Sequence, residues 1–482
     1  MIEKSLKKNM VLNAVKGLAS VLFPLITFTY ISKILGVDNI GRYSFASSVV
    51  NYLILLGGLG ISQYAIRDGA RIRDNKEKIE RFSSEVFTIN IYSTIISYLV
   101  LFFLLATVPK FSFYKSLLLI LSIQILFKTI GVEWIYSIYE DYRYISIVSV
   151  GSQAVALVLL FLFVKTKEDV DVYATTTVLP VVSASIMSFF YARKYCYVSL
   201  KAKTRLIVHA KPILTLFAMA ATVLLYVSSD IIMLGFLCND YRVGIYSVST
   251  KIYTVVKTVL SSVLVVSIPR ISSQLGNNDI SGFTATANST YKTLIFLAAP
   301  AIGGLIVLRR EVIMLLSTLE YIEATSSLLL LCVALLLCMG AWFWGQCILV
   351  PQKKEGIVFR ITIASATINI LMNLILIPLW KENAAAFTTI IAEGFALICC
   401  QKVGRKYVKI EKEIEFWGKI LVGCVVIIAI GAVVHMYCLS GIFSVLVFIP
   451  IATILYILVE YALGNEVITS YIMNHKNLAG HE

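Results

Sequence analysis

Residues 34–44 read Ile34-Leu35-Gly36-Val37-Asp38-Asn39-Ile40-Gly41-Arg42-Tyr43-Ser44, and they join two long apolar runs, 10–33 and 43–65. The pattern returns later in the chain. Leu234-Gly235 is followed by Gly244-Ile245-Tyr246-Ser247, again between two apolar runs, 212–236 and 245–269. Each copy is a Leu-Gly pair, a short polar link and a Gly-x-Tyr-Ser opening of the next helix. A pattern recurring at the same place in two halves marks an internal repeat.

Working outward, further apolar runs fall at 85–107, 115–137, 145–165 and 171–192 in the first half. In the second they fall at 291–308, 324–349, 357–378 and 384–402, and a final pair lies at 418–437 and 441–463. Crossing the hydrocarbon core takes about 20 apolar residues, which predicts about 14 transmembrane helices. The expected fold is therefore all-α and polytopic, with two six-helix lobes around a central cavity and two added C-terminal helices. The lobes are expected over 1–200 and 201–405, and the helix pair with a cytoplasmic tail over 406–482. Six is even, so both halves start from the same side, which makes a parallel repeat about the membrane normal.

Composition agrees. Of 482 residues, 59% are hydrophobic and only 15% charged, with a mean hydropathy of +0.85. Soluble domains carry about a quarter charged residues. A soluble enzyme, a disordered tail, a coiled coil and a secreted disulfide scaffold are excluded. The nine cysteines include no Cys-x-x-Cys pair and read as small packing residues. The histidines are scattered, without metal-ligand spacing. No Gly-x4-Gly-Lys-Ser/Thr loop occurs, so the chain encodes no ATP site.

The net charge of +14 has a topological reading. Lys and Arg crowd the segments 67–84, 193–211 and 403–416, while the alternate segments hold scattered residues such as Lys33, Arg42, Lys110 and Arg242. The positive-inside rule puts the crowded segments and both termini in the cytoplasm. Dispersal over short loops argues against nucleic-acid binding.

Polar residues inside apolar runs should face protein or water. At helical spacing, Asn13, Lys16 and Ser20 share a face, as do Ser44, Ser48 and Asn51. So do Ser247, Lys251, Thr254 and Thr258, with Lys257 beside them, and Thr362, Ser365, Asn369 and Asn373. These stripes either line an aqueous cavity or pack helices closely, and Lys16 can also snorkel. The expected cavity cations are Lys16, Lys128, Lys251 and Lys257. The expected polar lining is Asn13, Asn51, Thr254, Thr258, Asn369 and Asn373. Asp230 and Glu393 are candidates for H+ or Na+ coupling, Asp230 alternatively being a structural partner of a lysine. Deep cations outnumber the deep acids Glu133, Asp230 and Glu393, which favours an anionic substrate over an organic cation.

Several further segments carry a family likeness: Ile34-Leu35-Gly36 through Phe45-Ala46, Gly60-Ile61-Ser62-Gln63-Tyr64 before Arg67, Glu133-Trp134, and Glu140-Asp141-Tyr142-Arg143-Tyr144. Asp230-Ile231-Ile232-Met233-Leu234-Gly235, Val243 to Ser247, and Ala384 to Glu393 continue it. Over essentially its whole length the chain resembles Wzx-type polysaccharide flippases of the multidrug/oligosaccharidyl-lipid/polysaccharide exporter superfamily. The resemblance implies a MATE-like fold, alternating access and no catalysis or cofactor. It implies that undecaprenyl-pyrophosphate-linked oligosaccharide repeat units are flipped from the inner to the outer leaflet of a bacterial plasma membrane, for capsule or O-antigen-like polysaccharide. Glycosyltransferases and a polysaccharide polymerase of the same pathway are the implied partners. Rival readings are a peptidoglycan lipid-precursor flippase, a multidrug exporter, which would favour acids in its cavity, and a membrane polysaccharide polymerase. Many polymerases carry a long outward loop, and none is visible here.

Overall fold

The structure, a computed structural model, describes residues 6–200, 206–410, 414–436 and 442–470. Among the described residues there are helices and short connections but no strand. Among the described residues twelve helical stretches are long and apolar enough to cross a membrane. Two of the twelve are kinked stretches, each made of two helical arms. The stretch α1 (Leu6–Gly58) is two helical arms that meet at a kink at Gly36, where φ is 74°, and the arms correspond to the first two expected spans. Glycine adopts that angle without a Cβ clash. The long helix Glu355–Gly404 likewise holds the eleventh and twelfth expected spans and is broken at Lys381, where φ is 54°.

The chain divides by packing into two compact units, 1–244 and 245–482. The first contains α1, α2 (Ile61–Gly69), α3 (Lys76–Thr107), α4 (Pro109–Phe113), α5 (Lys115–Ile130), α6 (Trp134–Ile138), α7 (Tyr142–Phe163), α8 (Val170–Ala192), α9 (Leu206–Leu237) and the opening turn of α10 (Asp240–Gly276).

Helix α3 shows how a membrane helix is organised. Tyr92, Ile95, Ile96, Leu99, Phe102 and Phe103 are exposed, on the face a lipid would cover. Its buried face is polar: Asn90, Ser93, Thr94 and Ser97. Asn90 and Ser93 donate to the carbonyl of Gly57 at 2.7 and 2.5 Å, and Ser97 donates to Leu53 at 2.6 Å. The last carbonyls of a helix have no partner within it. Those at the end of α1 are capped sideways by the polar face of α3, a requirement that water cannot meet in a bilayer.

The repeated glycines have a visible task. A Cβ on Gly41 would stand 1.8 Å from the carbonyl oxygen of Asp240, and one on Gly244 would stand 2.2 Å from that of Val37. The second arm of α1 and the start of α10 therefore touch backbone to backbone, as small residues allow in membrane helices. Tyr114 donates to the Asp240 carboxylate and Lys110 to the Gly235 carbonyl, fastening the same corner.

The second unit contains the rest of α10, then α11 (Ile280–Val307), α12 (Arg309–Leu316), α13 (Ala324–Trp342), α14 (Glu355–Gly404), α15 (Ile414–Met436) and α16 (Ile442–Ala462). Ser249 of α10 bonds Ser327 Oγ at 2.8 Å and donates to the Ala324 carbonyl at 2.9 Å. A π-helical turn, Phe343–Leu349, follows α13. The final pair packs on α11 through Phe296, Phe416, Ile420, Phe448 and Tyr456. Tyr456 donates to the Phe296 carbonyl at 3.0 Å.

Candidate functional site

The expected cavity residues resolve into groups within each unit. Lys16 and Asn13 have side chains outside the described residues. In the first unit Asn51 is exposed on α1. Asp230 is buried on α9, close enough to Tyr52 for their charges to interact. Tyr52 in turn donates to the Leu224 carbonyl at 3.3 Å.

Lys128 lies near the end of α5 and is exposed to a cavity of about 300 Å³ within the first unit. The cavity is also lined by Glu133, Trp134, Gln153, Ser149 and Asn90. Glu133 is its electrostatic neighbour. The charge predicted for anion binding thus has a carboxylate beside it, which follows from the turn at Val132, where φ is 40°. That turn ends the helical run and sets Glu133 just before α6.

In the second unit α10 carries the remaining cations. Lys251 is half-buried, and no hydrogen bond or ion pair reaches it among the described residues. Thr254 and Thr258 are exposed beside it. Their hydroxyls donate to backbone carbonyls one turn back, at 2.7 and 2.8 Å. Lys257 is half-buried over the Tyr253 ring, 5.5 Å from its centroid. It bonds the thiol of Cys338 and lies in the field of the buried Glu393 carboxylate. The structure therefore brings together one predicted cation and one predicted acid from α10 and α14, with Cys338 of α13 between them.

Asn369 and Asn373 are buried in α14 and spend their amides locally. Asn373 donates to Asn369 at 3.2 Å, Asn369 to Thr388 at 3.3 Å, and Thr388 back to Asn373 at 2.6 Å. These bonds join the two arms of α14.

Sequence reading missed one cluster. His209 at the start of α9 lies between Tyr64, at 2.7 Å from Nδ1, and Glu85, at 3.0 Å from Nε2. Arg81 reaches the same carboxylate at 3.1 Å. The partners of His209 are 145 and 124 residues away in the chain, so no local spacing signals the contact. Also outside the spans, Tyr195 donates to Asp141. Burial, reinforced by that carboxylate, holds its phenol well above the usual range. Burial likewise pushes the Cys196 thiol up to about 11. Among the described residues no group of three or more His, Cys, Asp or Glu could hold a metal ion.

Comparison with known proteins gives a consistent result. The family model described as "Polysaccharide biosynthesis protein" matches residues 6–274. A protein of Escherichia coli (strain K12) named "Putative O-antigen transporter" is 23% identical over 81% of this chain and 94% of its own length. One of the same name from Shigella dysenteriae is 24% identical over 76% of this chain and 91% of its own. Among solved structures, the lipid II flippase MurJ in an inward closed conformation superposes with a TM-score of 0.78 at 18% identity, covering 95% of this chain and all of that one. An inward-facing multidrug resistance MATE transporter of the MOP superfamily gives 0.60 at 14% identity, covering 80% and 93%. At those identities the likeness establishes the fold.

Proposed function

Because this chain belongs to the polysaccharide biosynthesis protein family, we propose that it moves undecaprenyl-pyrophosphate-linked oligosaccharide repeat units from the inner to the outer leaflet of a bacterial plasma membrane. The observation that carries this reading is the match, over 94% and 91% of their own lengths, with relatives named as O-antigen transporters. The chemistry of α10 supports it. Lys251 and Lys257 stand in an apolar helix, where an unpartnered charge is expensive and marks a pathway. A pyrophosphate crossing hydrocarbon loses hydration, and fixed ammonium groups replace it with charge-assisted hydrogen bonds. Lys251 is the more available of the two, while Glu393 beside Lys257 tempers that site. Transport proceeds by alternating access, driven by H+ or Na+ through Asp230 or Glu393, or downhill.

The test is reconstitution. Purified protein in liposomes holding fluorescent lipid-linked oligosaccharide should expose it to an outside glycosidase or quencher faster than protein-free liposomes do. Lys251→Gln should slow this and Lys251→Arg should restore it. No acceleration by wild type refutes the flippase reading. Acceleration of the peptidoglycan precursor alone replaces it with the rival that shares the fold.

A further inference from the structure

The Lys128 cavity does not suit the anion that the α10 lysines suit. It is lined by one cation and one carboxylate, so a pyrophosphate entering it would meet Glu133 together with Lys128. The lining is nevertheless strongly polar for a chain of this class. Lys128 and Glu133 are both exposed to it, and among the described residues neither makes a hydrogen bond. Gln153 donates to Ser149 at 3.0 Å, which leaves its carbonyl and second N–H available. Asn90, whose amide donates to Gly57, is also in the lining, and Trp134 with Pro180 supplies apolar surface.

Polar side chains at membrane depth are retained where a water-filled path or a polar ligand satisfies them. The ligand that matches charge-balanced donors and acceptors against an aromatic wall is a neutral polyol. A sugar ring offers hydroxyls that donate and accept along its edge, and a C–H face that packs on apolar surface. The volume of about 300 Å³ is at the small end of ligand pockets, which begin near 300 Å³. We propose that this cavity is a saccharide subsite, holding an uncharged sugar of the transported glycan while the anionic linkage is met elsewhere. The inference rests on the flippase reading for its ligand, but it makes a separate claim about where sugar is held.

The test uses the full chain in nanodiscs and the oligosaccharide released by mild acid from the producing cells' own lipid-linked pool, freed of phosphate. Calorimetric titration should show binding to wild type. Gln153→Leu and Lys128→Met, both at accessible positions where folding is little at risk, should each weaken it about fivefold or more, the loss expected of one hydrogen bond. Flipping of a lipid pyrophosphate carrying a single sugar should change less than that of the full repeat unit. Unchanged affinity in both variants, no binding to wild type, or displacement of the saccharide by inorganic pyrophosphate overturns the subsite. Wild type that binds the free saccharide yet flips no lipid-linked substrate upholds the subsite and overturns the flippase reading instead.

Discussion

Replacing His209 by Leu should damage the fold more than its single position in the chain would imply. Tyr64, Glu85 and His209 are 5%, 6% and 5% exposed, so none can turn to water for a substitute partner. One tautomer satisfies all three: Nε2–H donates to Glu85, and Nδ1 accepts from the Tyr64 hydroxyl. Removing the imidazole leaves a buried phenol without its acceptor and a buried carboxylate held only by Arg81. Taking the donor from a buried carboxylate costs about 1.5–3 kcal/mol, and stranding the buried phenol adds about 1–3 kcal/mol. Loss of the Arg81–Glu85 pair alone should cost about 1 kcal/mol or less, because the Arg81 side chain is 55% exposed and exposed pairs contribute little. The assay is thermal unfolding of detergent-purified protein, followed as the monodisperse fraction after heating, with Arg81→Ala as the internal reference. His209→Leu should unfold well below it. The double variant His209→Leu with Glu85→Leu should recover part of the loss, since an apolar pair strands no charge. Equal melting of His209→Leu and Arg81→Ala, or strict additivity in the double variant, would refute this reasoning.

Gly41→Ala and Gly244→Ala should each abolish stable protein or shift its melting sharply down, because a methyl cannot fit 1.8 or 2.2 Å from backbone oxygen. Gly151→Ala, whose added Cβ would meet nothing within 4 Å, should be silent in the same assay. Lys381→Gly should raise the melting point, relieving about 1 kcal/mol or more of left-handed backbone strain; an unchanged or lower value would show that the side chain contributes more than the strain. Cysteines introduced singly at exposed positions in 67–84, 193–211 and 403–416 should resist impermeant maleimide in intact cells and react after permeabilisation. Native Cys196 should stay unlabelled near pH 7 in both, being buried with its thiol pushed up to about 11.

What the sequence made legible follows from how each feature is encoded. Helices were readable because hydropathy acts over about 20 residues at a time, and the repeat because its glycines must recur wherever two backbones touch. The helix breaks were half readable. Gly36 could be foreseen as a turn, whereas Lys381 takes a glycine-like conformation that no propensity assigns to lysine. Both breaks nevertheless fall at or next to the links between separately expected spans, 10–33 and 43–65, and 357–378 and 384–402. The polar stripes were found, but their use was not. Asn369 and Asn373 look the same in sequence whether they face water or, as here, bond Thr388. The stripe on α3 was overlooked because Thr88, Asn90, Ser93, Thr94 and Ser97 are small and sit among apolar neighbours that raise the average.

The cations show most plainly where periodicity stops. Lys128, Lys251 and Lys257 are alike as letters, and each is a lysine in an apolar run. What separates them is the neighbour supplied by another element: Glu133 for Lys128, Cys338 and Glu393 for Lys257, and no bonded partner among the described residues for Lys251. Charge counted along the chain gives a cationic surplus. Charge counted in space distributes that surplus unevenly, so the three sites cannot serve one ligand group equally. A lipid-linked glycan has two chemically distinct parts, an anionic linkage and a neutral sugar chain. On the proposed reading, Lys251 of α10 suits the linkage and the charge-balanced cavity beside α5 suits the sugars. On that reading, a substrate half charged and half neutral would use the divided cation set as an anion site and a sugar site.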